Sequence, residues 1–337
     1  MIERDAIDQS SAPLAHPGII EKVNMSLGPD GNDADITRLK ALFVARLPVS
    51  QNIGSHLAAA LQHVLSTPGS LSRPRVVLRV ATAYGLSTPT ADDLAMALEY
   101  FHTASLIFDD LPSMDNATER RGIACAHVAF GEAEAILAAL ALVNRAYALI
   151  WRTVAQCPHD NQPAAIDYIE LNLGTEGLLN GQSLDLQYAS LPHDRHTTER
   201  IAFGKTVSLI RLALVLPAIL AGAPPSELLL LERIAKYWGF SYQIIDDLKD
   251  VLHSSTDIGK TTARDSLLDR PNVSIIMGTA AAIERLHRLI RIGDTALQRL
   301  VVARPPLAFL EALRNDLRKQ AGLASEAASQ PVTLVTP

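Results

Sequence analysis

The residues best equipped for chemistry lie in Asp109-Asp110-Leu111-Pro112-Ser113-Met114-Asp115. Three carboxylates crowd a helix end that Pro112 must stop or distort. Crowded carboxylates repel one another unless a cation neutralises them. An all-oxygen ligand set suits Mg²⁺, which binds through one or two carboxylates together with substrate phosphates. A solvated acidic helix end is the simpler alternative. Against it, acids at a helix C-terminus oppose the macrodipole, and the apolar run Ser105-Leu106-Ile107-Phe108 leads straight into the cluster.

A second cluster follows far downstream in Tyr242-Gln243-Ile244-Ile245-Asp246-Asp247-Leu248-Lys249-Asp250. On a helix, Asp250 stands at i+4 from Asp246 and i+3 from Asp247, so all three carboxylates can point at one ion cluster. Two acidic ends on apolar helices suggest facing helices that clamp a metal-bound diphosphate from both sides. Such an anion also needs Arg or Lys. Arg120-Arg121-Gly122 follows the first cluster, Gly259-Lys260 the second, and Lys205-Thr206 lies between. Singly, each reads as a surface charge; their placement beyond acidic helix ends favours the anion site. Gly204-Lys205-Thr206 and Gly259-Lys260-Thr261 resemble the end of a P-loop, but Glu199 and Ser254 stand where its first glycine is required. No nucleophile elbow, H-E-x-x-H or G-x-G-x-x-G is present.

The elements that position these residues are helices. The chain is 48% apolar with the share leaning on Ala and Leu, good helix formers, and alternating strand patterns are few. The periodicity predicts helices over 37–65 with a break near Pro48, 75–85, 90–109, 131–156 (buried), 162–189, 197–223, 226–251, 273–290, 293–303 and 306–322. The helix before the first cluster opens at Thr90-Ala91-Asp92-Asp93, which reads as a cap followed by first-turn acids. Residues 1–36 and 323–337 read as flexible tails around a single domain. A net charge of −6 without a basic run argues against nucleic acid. The charged start Met1-Ile2-Glu3-Arg4-Asp5 lacks a signal-peptide pattern, and the apolar stretch near 207–223, broken by Arg211 and Pro217, falls short of a membrane span. Cys125 and Cys157 form no metal or redox motif and read as reduced thiols of a cytoplasmic protein.

Taken together, these motifs resemble the trans-isoprenyl diphosphate synthases, most closely the bacterial geranylgeranyl diphosphate synthases. The stretch from His102 through Asp115, Arg120-Arg121-Gly122, Gly181-Gln182-Ser183-Leu184-Asp185, Lys205-Thr206, the second acidic motif and Gly259-Lys260 all fall in family order. The resemblance covers about residues 40–320. It implies an all-α bundle of about a dozen helices around a central cavity, working as a homodimer. It implies three Mg²⁺ ions on Asp109, Asp110, Asp115, Asp246, Asp247 and Asp250, holding an allylic diphosphate with Arg120, Lys205, Gln243 and Lys260. Arg73, His102 and Arg121 would receive isopentenyl diphosphate, and Thr206 and Gln182 would flank the developing allylic cation. Ala104 and Ser105, one turn before Asp109, would leave the route of the growing chain open to C20, where members that stop at C15 carry an aromatic residue in place of Ala104.

The resemblance also marks a departure. The family's Gly-Gly-Lys-Arg-x-Arg-Pro run is here Pro68-Gly69-Ser70-Leu71-Ser72-Arg73-Pro74. A lysine that contacts isopentenyl diphosphate is replaced by Ser70, and Arg75 offers a substitute cation. Ile123-Ala124-Cys125-Ala126 departs as well. The readings that follow are an active C20 synthase, a C15 synthase, a non-catalytic partner subunit, or a terpene cyclase. Asp246, Asp247 and Asp250, with Arg73 and His102 retained, argue against the cyclase.

Overall fold

The structure, a computed structural model, describes residues 33–47, 49, 52–256 and 271–329. It is almost wholly helical, as the composition predicts. Helix α1 (Asp33–Ala45) begins inside the segment expected to be a tail, and α2 (Ser55–Leu65) follows after the expected break. Helix α3 (Ser72–Ala83) starts ahead of Pro74 rather than after it. Proline is accommodated in a first turn because its missing N–H would have no partner there.

Helix α4 (Thr88–Asp110) carries the first acidic motif at its end. Its cap is Ser87, whose side chain accepts from the Thr90 N–H, so the expected cap at Thr90 is already inside the first turn. Asp92 and Asp93 are not dipole-facing surface acids. Both are buried and bound by arginines: Arg38 to Asp92 at 2.6 Å, and Arg46 and Arg152 to Asp93 at 3.1 and 2.9 Å. Leu111 takes an extended conformation (φ −59°, ψ 152°), as a residue before proline should, and the helix stops where its carboxylates begin.

Beyond it lie the strands β1 (Glu119–Arg120) and β2 (Ile123–Ala124), the short α5 (Ala126–Phe130) and α6 (Glu132–Gln156). Helix α6 is only partly buried. Ala135, Ala138, Ala139 and Leu142 face the core, whereas Ile136, Leu137, Leu140 and Trp151 are exposed. The predicted 162–189 helix is divided at Gly174–Gly177 into α7 (Gln162–Leu173) and α8 (Leu178–Leu186). The next stretch consists of α9 (Arg195–Ala202), a π turn over Phe203–Val207, α10 (Ser208–Leu214) and α11 (Leu216–Leu220). Helix α12 (Pro225–Thr256) carries the second acidic motif.

The chain resumes with α13 (Val273–Met277), α14 (Thr279–Ala303) and α15 (Leu310–Ser329). The break expected near Gly293 does not occur. A Cβ there would collide with the buried Trp238 indole, so Gly293 serves close helix crossing rather than termination. The last helix runs past 322, with Leu317, Ala321 and Ala324 in the core. One hydrophobic cluster extends from Leu39 to Ala324. Two stretches, Glu132–Gln156 and Arg195–Leu220, are long and apolar enough by length and composition to cross a membrane; 72% of the apolar window of the second is buried among other helices.

Candidate active site

The loop after α4 folds back on the helix end. The Asp115 N–H donates to the Asp109 carbonyl at 2.8 Å and the Ala117 N–H to the Asp110 carbonyl at 3.2 Å, which returns Asp115 toward Asp109. The chain then reverses through a two-residue turn, Arg121-Gly122, with φ of 54° and 77° between paired Arg120 and Ile123. Two positive φ angles are the signature of a tight hairpin turn whose twist matches its strands. Arginine is a costly choice for the first of them, and the turn sends the two arginines to different partners. Arg120 grips both Asp110 oxygens through Nε and Nη2 at 2.6–3.0 Å. Arg121 donates to the Thr67 carbonyl at 2.9 Å and lies against Gly69, where a Cβ would collide with its guanidinium.

Two more elements complete this side. Gln182 on α8 donates to Asp109 at 2.7 Å. Lys205 donates to the buried Asp185 at 2.7 Å and stands 3.8 Å from Asp109. Burial pulls the Lys205 ammonium down, but Asp109 and Asp185 outweigh it and hold it above its ordinary value. Burial likewise opposes, and Asp110 overrides, the charge on Arg120. Lys205 and Thr206 sit on the π turn, the kind of irregularity that concentrates at functional sites. Its cause is visible in the packing. Gly181 and Gly204 let α8 and the π turn touch backbone to backbone, and a Cβ on Gly181 would strike the Lys205 nitrogen.

A hydrogen-bonded path leads from here to the second acidic motif. Gln243 donates through its amide to Asp247 at 2.9 Å and accepts from the Thr206 hydroxyl at 2.8 Å. The carboxylate can only accept, which fixes the amide orientation, and the amide oxygen in turn uses the Thr206 hydrogen. Thr206 therefore keeps its oxygen lone pairs for another partner. Asp247 is buried and anchored by the Val273 N–H at 2.7 Å, while Asn272 donates to its carbonyl at 3.0 Å. Asp246 is half-buried, and Asp250 lies exposed one turn on.

The N-terminal flank is different in character. Arg73 interacts electrostatically with Glu99, Arg121 and Asp246. Burial lowers the Arg73 guanidinium below its ordinary value, with Glu99 opposing and Arg121 adding to the effect. Its Nε is buried with no hydrogen-bond partner. Burial pushes the Glu99 carboxyl up to about 7, against the pull of Arg73 and Arg121. His102 is half-buried, and its carbonyl accepts from the Ser105 hydroxyl at 2.8 Å. Ala104 is buried in the core. Leu71, in place of the family's arginine, is also buried, with a left-handed backbone (φ 51°). Arg75 is two residues from Arg73, so it projects from the opposite side of α3. It lines a separate cleft with Leu39 and Phe309, so position 75 does not replace the missing lysine.

The structure thus gathers Asp109, Asp110, Gln182, Lys205, Thr206, Gln243 and Asp247 into one network, with Arg73, Arg121 and Asp246 in electrostatic contact on its flank. Lys260 lies outside the described residues. Sequence reasoning gave no role to Asp185, Glu99, Asn272 or Gly69. Of these, Asp185 had a local signal, since it belongs to the quoted Gly181–Asp185 run. The donor set suits a hard cation: oxygen ligands only, on a loop that returns Asp115 to Asp109. Among the described residues no three carboxylates, histidines or cysteines are yet close enough to share one ion. Asp109 and Asp110 are instead neutralised by Lys205 and Arg120.

An all-α fold with two acidic motifs, one ending α4 and one inside α12, joined through a lysine and two amides defines an isoprenoid-synthase-type protein. A polyprenyl synthetase family profile matches residues 54–300, and the chain belongs to that family. It is 34% identical over 236 residues to mitochondrial geranylgeranyl pyrophosphate synthase 10 of Arabidopsis thaliana, covering 68% of each chain. It is 34% identical to the geranylgeranyl diphosphate synthase of Pseudescherichia vulneris (79% of this chain, 89% of that one) and 33% identical to the farnesyl diphosphate synthase of Escherichia coli (81% and 91%). Among solved structures, a Helicobacter pylori geranyltransferase complexed with magnesium and isoprenyl diphosphate superimposes with a TM-score of 0.72 at 26% identity, over 85% of this chain and 96% of that one.

Proposed function

We propose that this protein is a Mg²⁺-dependent trans-prenyltransferase that condenses isopentenyl diphosphate with allylic diphosphates to geranylgeranyl diphosphate (C20). The observation that carries the reading is the path from Asp109 through Gln182 and Lys205-Thr206 to Gln243 and Asp247, which ties the two acidic motifs into one site. Asp109, Asp110 and Asp115 on one side and Asp246, Asp247 and Asp250 on the other would hold three ions. When bound, these would neutralise the diphosphate of the allylic substrate.

The chain's own groups do the rest. Arg120 and Lys205, held cationic by their aspartates, receive charge as the allylic carbon–oxygen bond breaks. Lys260 joins them in this reading. Thr206, with its hydrogen committed to Gln243, and the Gln182 carbonyl present oxygen dipoles to the allylic cation. Arg73, Arg121 and His102 orient isopentenyl diphosphate so that its double bond attacks the cation. A carbon–carbon bond forms, and the proton lost from the adduct passes to the released diphosphate. Exclusion of water protects the cation from hydrolysis.

A C20 product is supported by the small Ala104 and Ser105 before Asp109. Ala104→Phe should move the main product from C20 to C15 and leave the first condensation largely intact. A homodimer is supported by the exposed apolar face of α6, with Ile136, Leu140 and Trp151 on one side of the helix; sedimentation equilibrium checks it. A cytoplasmic setting goes with this reading. The deciding experiment supplies purified protein with Mg²⁺, isopentenyl diphosphate and dimethylallyl, geranyl or farnesyl diphosphate, and identifies products by mass spectrometry. A dominant C20 product supports the proposal. A C15 product supports the shorter synthase. No condensation with any primer overturns the enzyme reading in favour of a partner subunit, for which Ser70 and the buried Leu71 are the supporting observation.

A further inference from the structure

The hairpin that carries Arg120 and Arg121 is held from two sides. On the α4 side, Arg120 binds both Asp110 oxygens, and the Ala117 N–H ties the approach to the hairpin to the Asp110 carbonyl. On the α2 side, the attachments come from one turn of chain. His63, in the last turn of α2, places Nε2 2.8 Å from the Ala124 carbonyl of β2. Four residues on, the Thr67 carbonyl accepts from Arg121 at 2.9 Å. The Ala124 carbonyl can only accept, so His63 Nε2 carries the hydrogen. Phe130 at the end of α5 meets the imidazole edge-on, with ring centroids 5.3 Å apart.

This second attachment matters because packing beneath the hairpin is incomplete. A cleft of about 50 Å³ is lined by Val64 of α2, Thr103 of α4, and Arg120, Arg121 and Ile123 of the hairpin. Thr103 Oγ1 is buried without a hydrogen-bond partner. Arg121 also has a left-handed backbone (φ 54°), which a residue other than glycine keeps only where its surroundings impose it. Arg120 is secured from α4 by its three hydrogen bonds to Asp110. The direction of Arg121 follows instead from the seat of the hairpin on His63 and Thr67.

We propose that His63 is a positioning residue for the second substrate: its Nε2–H clamps β2 to α2 and so aims Arg121 at the diphosphate of isopentenyl diphosphate. The clamp rests on the geometry of the hairpin; the identity of the substrate rests on the reaction proposed above. Both the imidazolium and the neutral Nε2–H tautomer supply the donor, so the clamp needs no change of charge.

Two replacements separate the ring from the donor. His63→Phe keeps an aromatic ring beside Phe130 and removes the N–H. His63→Gln removes the ring and offers an amide N–H. His63→Phe should raise KM for isopentenyl diphosphate about three- to tenfold, the worth of one hydrogen bond, with kcat and KM for the allylic diphosphate nearly unchanged. His63→Gln should recover most of that loss. In an Arg121→Gln background, His63→Phe should add less than about twofold, because the two residues act through one contact. A wild-type KM in His63→Phe overturns the proposal, as do equal losses in the two variants or a full His63→Phe effect without Arg121. Hydrogen exchange followed by mass spectrometry reads the clamp without substrate. Peptides covering 119–125 include the Cys125 N–H that donates to the Thr118 carbonyl at 2.9 Å. They should exchange faster in His63→Phe than in the wild type or His63→Gln, with α4 unchanged. Equal exchange in all three proteins overturns the clamp. A wild type that makes no prenyl product yet shows this exchange pattern would sink the proposed reaction and leave the clamp standing.

Discussion

The two flanks of the candidate active site differ in how completely they are built. On the side of the acidic motifs, Asp109, Asp110, Gln182, Lys205, Thr206, Gln243 and Asp247 each have a partner at hydrogen-bond distance. On the side of Ser70 and Arg73, two family cations are gone, Arg73 has a buried unpartnered Nε, and Glu99 is buried among charges. A preorganised array stabilises developing charge without reorganising at the moment of reaction. The flank of Ser70 and Arg73 has lost two of the family's cations, so in the proposed reaction its contribution is binding more than chemistry. Substitutions on the dense flank should therefore be severe and read out in kcat. Those on the sparse flank should be milder and read out in KM or pH dependence.

The largest effect is expected from Asp109→Ala or Asp246→Ala. Either should lower turnover by at least about 100-fold, equivalent to about 3 kcal/mol of transition-state stabilisation. The protein should remain folded by circular dichroism, since Lys205 keeps its ion pair with Asp185 when Asp109 is removed and Asp246 is only half-buried. Near-normal turnover in either variant would remove the two-sided clamp.

Gly181→Ala comes next. Its methyl group meets the Lys205 backbone, where no flexible side chain can yield. Displacing the π turn should cost about 1–3 kcal/mol of stability and lower kcat through Lys205 and Thr206. An unchanged melting temperature and kcat would show that the close approach is not what positions them.

Ser70→Lys tests the sparse flank by addition. A phosphate contact restored there should lower KM for isopentenyl diphosphate by about threefold or more with kcat nearly unchanged, because uniform binding acts on KM. If KM does not move, position 70 does not face that diphosphate.

The smallest effect concerns Glu99. Its folded value is raised to about 7 by burial, above the ordinary carboxylate value of about 4.3. In this interval the native state holds a proton that the unfolded chain has released. This contribution to stability is full below the unfolded value and is lost as pH rises through about 7. Glu99→Gln should flatten the decline in stability between pH 5 and 8, measured by urea unfolding. Parallel profiles for the two proteins would mean that Glu99 is ionised throughout and held by its arginines.

Much of the acidic side was legible because its signals are local. Helical spacing of Asp246, Asp247 and Asp250, the proline stop after Asp110, and the acids closing the apolar α4 are read from a few neighbouring residues, whereas α12 runs on to Thr256 past the acids expected to close it. Where boundaries slipped, a neighbour far in the chain was the cause. Gly293 looks like a helix break until Trp238 is seen against it, and Asp92 and Asp93 look like first-turn acids until three arginines reach them.

The sequence by itself determined the all-helical class, the two acidic motifs on helices and the order of the cationic motifs, because propensity, period and turn chemistry act within a few residues. Only the tertiary structure decided that Lys205 pairs with Asp185, that Gln243 turns its carbonyl to Thr206, that Arg75 leaves the site for another face of α3, and that half of α6 stays uncovered. Each of those depends on which surfaces meet when helices distant in the chain pack together. Local periodicity identifies a helix and its apolar face, but it cannot name the partner that the face or a charge will find.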